Sequence, residues 1–375
     1  MRGKGSYMLV FLFLLAGCIS HQLYEVRDVP YVKSKGVGKD PIPSTFMGDT
    51  KEIQALDLSG EAFNTVGDWY DDENVLYIKD QNDGSAIYRY DIYSGENELF
   101  FTTNNHVLSM KANEDHSLFL LHTSNERDIA ELKVIDKTGN QVFSWEVESF
   151  DITYTWSPYQ PDELFVSTFL EDWSFRSFVV NAKKESITTI DIPQPFAQWV
   201  DASSMVFINW EEEPSYEAPL YRYNIKTGEQ SLIMDKVISF SAFNELLVTI
   251  ENDIEKESYS FYHLQKPNEK KILSEFEMPM LSDYSGWFIP FQDYRKSTNT
   301  YYTFQPYDTG NYDAYKQGFE FIGVNVDSGE QETILEKIDC LPIRFSPNGR
   351  LVLYGYQFEQ IIDIERKEIN PLINQ

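Results

Sequence analysis

Few side chains in this 375-residue sequence are spaced for chemistry. The two cysteines are Cys18, which ends Leu15-Ala16-Gly17-Cys18 after an apolar run, and Cys340, in Asp339-Cys340-Leu341-Pro342. The five histidines, at 21, 106, 116, 122 and 263, include no pair at the helical spacing a metal needs. There is no G-x-S-x-G nucleophile turn, no Walker loop, no H-E-x-x-H and no Asp-box. Asp308-Thr309-Gly310 spells an aspartic-protease tripeptide, but Gln305-Pro306-Tyr307 rather than an apolar strand precedes it. A second, facing copy, needed for two carboxylates to share a proton, is missing as well. Asp80-Gln81-Asn82-Asp83-Gly84 is rich in oxygen donors. A calcium loop of the EF-hand type would place glycine sixth and glutamate twelfth, so a hairpin turn is expected here. Gly36-Val37-Gly38 lacks both the preceding strand and the third glycine of a dinucleotide loop. The expectation is a non-enzymatic protein with no catalytic residue, no metal and no cofactor.

Cys18 is the exception. Arg2 and Lys4 precede an apolar run from Tyr7 to Leu15, the proportions of a secretory signal and too short to span a bilayer. Leu15-Ala16-Gly17-Cys18 resembles the lipobox of bacterial lipoproteins. The resemblance implies that residues 1–17 are removed and that Cys18 receives a diacylglyceryl group, its acyl chains holding the protein to membrane lipid. Two or more acyl chains anchor stably where one holds only marginally. Residues 18–49 carry Pro30, Pro41, Pro43, Gly36, Gly38 and Gly48 with no apolar period, and read as a flexible tether. The implied location is the extracytoplasmic face of the cell membrane. With Cys18 acylated, Cys340 has no disulfide partner and reads as a small buried core residue.

The formal charge is −29, and loss of Arg2 and Lys4 with the signal moves it to −31. So acidic a chain is repelled by phosphate backbones, which argues against nucleic acid and against headgroup docking.

From Thr50 onward the sequence repeats, and the reading is all-β. An apolar or aromatic anchor, a short polar turn and a run of apolar residues recur at positions 69, 112, 156, 199, 240, 281 and 345. Six intervals result: 43, 44, 43, 41, 41 and 64. Behind each anchor comes a second hairpin, clearest in Tyr90-Asp91-Ile92-Tyr93-Ser94-Gly95-Glu96 and Tyr223-Asn224-Ile225-Lys226-Thr227-Gly228-Glu229. Two hairpins per repeat make four strands, and a period near 43 is that of a propeller blade. Seven such blades need about 301 residues, and the long interval adds about 21, against 326 from Thr50 to Gln375. The favoured reading is therefore one seven-bladed β-propeller over residues 50–375, with six blades as the alternative if one degenerate repeat is not a full blade.

Phe345-Ser346-Pro347-Asn348-Gly349-Arg350 resembles the F-S-P-D-G-K/R turn of TolB-like, or WD40-like, repeats; Trp156-Ser157-Pro158 keeps only its start. Lipobox, tether and divergent propeller together resemble the YqgU-like propeller lipoproteins of Gram-positive bacteria. That resemblance supports fold and location, and brings no known active site.

Two segments depart from the repeat. The long interval holds an insertion from about Asp293 to Lys316 with Tyr294, Tyr301, Tyr302, Phe304, Tyr307, Tyr312 and Tyr315. Tyrosines supply large, stiff, amphipathic contact area, so these seven are candidate binding residues unless the hairpin folds back on its own blade. Trp210-Glu211-Glu212-Glu213-Pro214-Ser215-Tyr216-Glu217 reads as a solvated acidic loop. The function expected is a binding module for another cell-envelope component, another envelope protein. The alternative is a propeller enzyme or a receptor for a glycan or small molecule, with carboxylates converging in the central channel about 5–10 Å apart.

Overall fold

The computed structural model describes residues 51–58, 62–126, 128–210, 215–252, 258–269, 271–284 and 286–374. Cys18, the signal peptide, the tether and Glu211–Pro214 lie outside the described residues. Ile53–Gln375 is one compact unit.

Seven four-stranded antiparallel sheets follow one another along the chain. We number them blades 1 to 7, spanning 63–103, 106–148, 151–190, 198–237, 239–279, 292–338 and 343–371. Every blade is a meander built from one continuous stretch, so none is completed by a strand borrowed from the other terminus. Their middle strands are near-continuous apolar runs such as Val75-Leu76-Tyr77-Ile78, Leu118-Phe119-Leu120-Leu121 and Met205-Val206-Phe207-Ile208, all buried. Strands with sheets on both sides need apolar residues on both faces.

The turn chemistry repeats too. In the hairpins joining third to fourth strands, Asp91 accepts from the amides of Tyr93 and Ser94, Asn224 from Lys226 and Thr227, and Asn325 from Asp327 and Ser328. The residue closing each turn is left-handed: Gly95, Gly228 and Gly329 have φ of +74°, +72° and +72°. In the degenerate copies Glu185 and Lys367 accept that conformation, at +51° and +54°.

Ring closure between blades 7 and 1 is made without a shared sheet. The indole Nε1 of Trp69 donates to the Arg344 carbonyl at 3.0 Å, and the Val66 amide to the Gln357 carbonyl at 3.0 Å. Outside them, Leu56–Asp57 pairs in parallel with Ile373–Asn374. Leu56, Val75 and Ile92 share one core cluster with Leu351, Leu353 and Leu372.

The sixth repeat differs from its sequence reading. Leu281 is not an inner-strand anchor; it belongs to a small extra sheet of Leu281–Asp283, Gly286–Phe288 and Gly310–Asn311. The inner strand of blade 6 is Gln292–Arg295. The extra residues are thus two inserts, 280–291 before the blade and 307–318 within it, because Asp293–Pro306 is needed for the blade's first two strands. Tyr301, Tyr302 and Phe304 are 0, 4 and 0 % exposed and are core, which removes them from any binding surface. Tyr294 is half-buried, its hydroxyl donating to Asn299 at 2.8 Å. Tyr312 stacks on Phe288 at 4.0 Å between ring centres, and Tyr315 bridges the Tyr307 amide and the Gly318 carbonyl. Cys340 is a buried free thiol that burial pushes up to about 12.

This placement is testable by urea unfolding. Phe304→Ala should cost about 3–5 kcal/mol, whereas Tyr284→Ser, at a position 93 % exposed, should stay within about 0.5 kcal/mol. A near-neutral Phe304→Ala would return that residue to the surface.

Candidate functional site

Each blade's first strand lines the central channel, and one position on it repeats around the ring: Asp68, Lys111, Thr155, Gln198, Ser241, Asp293 and Arg344. The register comes from hydrogen bonds between blades. The Asp68 carboxylate accepts from the Ala112 amide of blade 2 at 2.8 Å. Gln198 Oε1 accepts from the Ala242 amide of blade 5 at 2.8 Å. Asp293 accepts from the Phe345 amide of blade 7 at 3.3 Å. The following residue works backward: Trp156 Nε1 donates to the Lys111 carbonyl at 3.1 Å, as Trp69 Nε1 does to that of Arg344. Trp199, the third indole of this set, has a buried Nε1 with no partner.

These residues and the turns beneath them enclose a cavity of about 880 Å³. Trp156, Trp199, Phe243 and Phe345 give it aromatic walls. Its charged groups are Lys111, Arg295, Lys296 and Arg344 against Asp68, Glu114 and Asp293. Asp68 is fully buried and satisfied: the Trp69 and Ala112 amides and Arg344 Nη1, at 2.7 Å, all donate to it. Burial raises Asp293 above the usual aspartate range, opposed by the Tyr294 amide and Arg344. Burial and the Asp293 charge raise Glu114, with a hydrogen bond from Asn244 opposing. Burial and the neighbouring Arg344 bring the Lys111 ammonium down to about 8. Carboxylates therefore do enter the channel, but two of the three are engaged in holding blades together. Among the described residues no group of three His, Cys, Asp or Glu is arranged to hold a metal ion.

A second feature is a face. In an antiparallel meander the connections alternate ends, so second-to-third-strand and blade-to-blade connections share one side of the ring, and the two remaining hairpins the other. Among the described residues, the large aromatics more than a third exposed are Phe150, Phe196, Trp210, Tyr216, Tyr284, Tyr307 and Tyr356. All seven fall on the first side: Phe150, Phe196 and Tyr284 between blades, and Trp210, Tyr216, Tyr307 and Tyr356 within blades 4, 6 and 7. The opposite side carries Asx turns and ion pairs such as Lys183–Asp162, Lys296–Glu245 and Arg350–Glu365. Of the inserted tyrosines expected to bind, only Tyr307 is among the exposed set; Tyr312 and Tyr315 are packed beside it. The channel position was not singled out from the sequence, although in five of the seven blades it is the residue just before the repeat anchor, at 69, 112, 156, 199 and 345.

Residues 91–355, more than half of the chain, match the model of the YqgU-like 6-bladed beta propeller domain. That span holds five of the seven sheets whole and cuts the first and last, so the described count differs from the six of the family description. The uncharacterized lipoprotein YqgU of Bacillus subtilis (strain 168) is 24 % identical over 367 residues, 98 % of this chain and 95 % of its own. A crystallised uncharacterized protein of Listeria monocytogenes EGD-e superposes with a TM-score of 0.80 at 23 % identity, covering 87 % of this chain and 98 % of its own. The propeller domain of the trilobed protease of Pyrococcus furiosus, described as having an open velcro topology, matches at 0.55 and 13 %, over 84 and 98 % of the two chains.

The raised Asp293 gives a signed pH effect. The folded state keeps that proton to higher pH than the unfolded chain does, so this group's contribution to stability falls as pH rises from the ordinary aspartate range through the raised value. Asn cannot titrate. Relative to wild type, Asp293→Asn should therefore gain stability as pH rises above the ordinary aspartate range, read by urea unfolding at each pH; equal slopes for the two proteins would contradict the assignment.

Proposed function

Because the chain belongs to the YqgU-like β-propeller family, we propose that it is a non-enzymatic interaction module, tethered through acylated Cys18 to the outer face of the cell membrane, that docks on another envelope protein. The observation carrying this reading is the segregation of exposed aromatics: seven on one side of the ring, charged turns on the other. Four of the seven are tyrosines, a residue type enriched at protein interfaces because it covers area with few rotatable bonds. The lipoprotein relative supports the tether. A chain carrying a formal −29 charge favours a partner with a basic contact surface, and the charge would act mainly on encounter rate.

The inserts at 280–291 and 307–318 extend this same side, which puts Tyr284, the most exposed aromatic, at its outermost hairpin. Deleting 293–316 would remove two strands of blade 6, so the face is better probed by single residues.

In cells, photo-crosslinking residues at Tyr216, Tyr284 and Tyr356 should each capture one and the same envelope protein. Lys184 and Lys226, on the opposite side, should not capture it, and Cys18→Ala should abolish capture from the face. Equal capture from both sides, or a different product at each site, would sink the proposal.

A further inference from the structure

The channel differs in charge from the rest of the protein. The chain has 31 basic and 60 acidic residues, yet the cavity of about 880 Å³ is lined by four cations and three carboxylates. Its volume falls in the range of small-molecule sites. What matters is which of those charges are already engaged. Asp68 receives three hydrogen bonds and Asp293 receives two, from the amides of Tyr294 and Phe345. Arg344 spends one nitrogen on Asp68. Lys296 is held at the mouth by Glu245, at 2.9 Å. Lys111, by contrast, is half-buried on an inner strand, and among the described residues its ammonium has no hydrogen-bond or ion-pair partner. Arg344, Asp68, Asp293 and Glu114 act on it through space.

A cation held in a walled cavity without a partner is a half-made interaction. Of the carboxylates near it, Asp68 and Asp293 are held by backbone amides and Glu114 by the Asn244 side chain, and none closes on it. We infer that the channel binds a small polycarboxylate, with Lys111 contributing the principal charge-assisted contact and the Arg344 guanidinium lying beside it. The aromatic walls of Trp156, Trp199 and Phe345 lower the polarity around that contact, which strengthens it. Ionised groups of the ligand would replace the missing partner, and Arg295 at the rim, whose Nε and Nη2 already donate to Ser297 Oγ and the Asn348 carbonyl, would offer its Nη1 to a second carboxylate on a ligand long enough to reach it. This site shares only Phe196 with the seven aromatics of the face, and loss of partner capture would leave its charged contacts standing.

Citrate is the probe, titrated into the full chain by calorimetry at constant ionic strength set with sodium chloride. Saturable one-to-one binding is expected. Lys111→Met should weaken it by about tenfold or more, and Lys111→Arg by much less, since a charged hydrogen bond is lost in the first only. A measurement on the unmutated protein guards against a variant that fails to fold: with ¹³C-labelled lysine, the Lys111 titration midpoint should move from about 8 toward the ordinary lysine range when citrate is present. Absence of saturable citrate binding, unchanged binding by a folded Lys111→Met, or a midpoint that citrate does not move would each overturn the proposal.

Discussion

Asp68 ties three blades together with one carboxylate. It sits at the end of blade 1's inner strand and is fully buried. One oxygen takes the amide of Trp69; the other takes the amide of Ala112 in blade 2 and the guanidinium of Arg344 in blade 7. A buried carboxylate is costly unless its acceptor sites are filled, and here the donors come from the two neighbours that the first blade must hold. The constraint matters because every blade is a continuous meander. With no shared sheet to bolt first to last, closure rests on this contact, the Trp69 indole, the Gln357 carbonyl and the short parallel pair of Leu56–Asp57 with Ile373–Asn374. If the joint opened, the ring would expose sheet edges and flanking apolar faces, and both the channel and the common face would lose their shape.

Much of this architecture is legible in the sequence. Trp69, Trp156, Trp199 and Phe345 all stand on inner strands or at their ends, and the Asx hairpins fall where Asp91, Asn224 and Asn325 place them. The register of the fifth and sixth repeats is not so legible. Phe240 lies two residues before Ala242, the position that bonds to Gln198; a shift of two keeps the same side chains on the same face, so alternation cannot detect it. Leu281-Ser282-Asp283 before an aromatic pair imitates an anchor and its turn. Counting residues gives the surplus in that interval but not its division into two inserts, and that division decides whether Tyr301 and Phe304 are loop or core.

The channel position was hidden for another reason. Asp68, Lys111, Thr155, Gln198, Ser241, Asp293 and Arg344 share geometry and no chemistry, so no residue pattern announces them. Position relative to the anchor does so in the five blades whose anchors stand on the inner strand in register. The exposed face was equally hard to read, because its aromatics lie in connections of differing length, and only the alternation of turns around a closed ring brings them to one side. Rigidity links the two features. Seven sheets locked by backbone-directed hydrogen bonds hold a face and a cavity in fixed relation.

The most direct test of this account is a double-mutant cycle between Asp68 and Arg344, using Asp68→Asn, Arg344→Met and the double variant in urea unfolding. If the contact closes the ring, the double variant should cost less than the two single costs summed, by a coupling of about 1–3 kcal/mol, as for residues sharing one network. Costs that simply add would mean that the first and last blades are held together by something other than Asp68, and would contradict the account at its base.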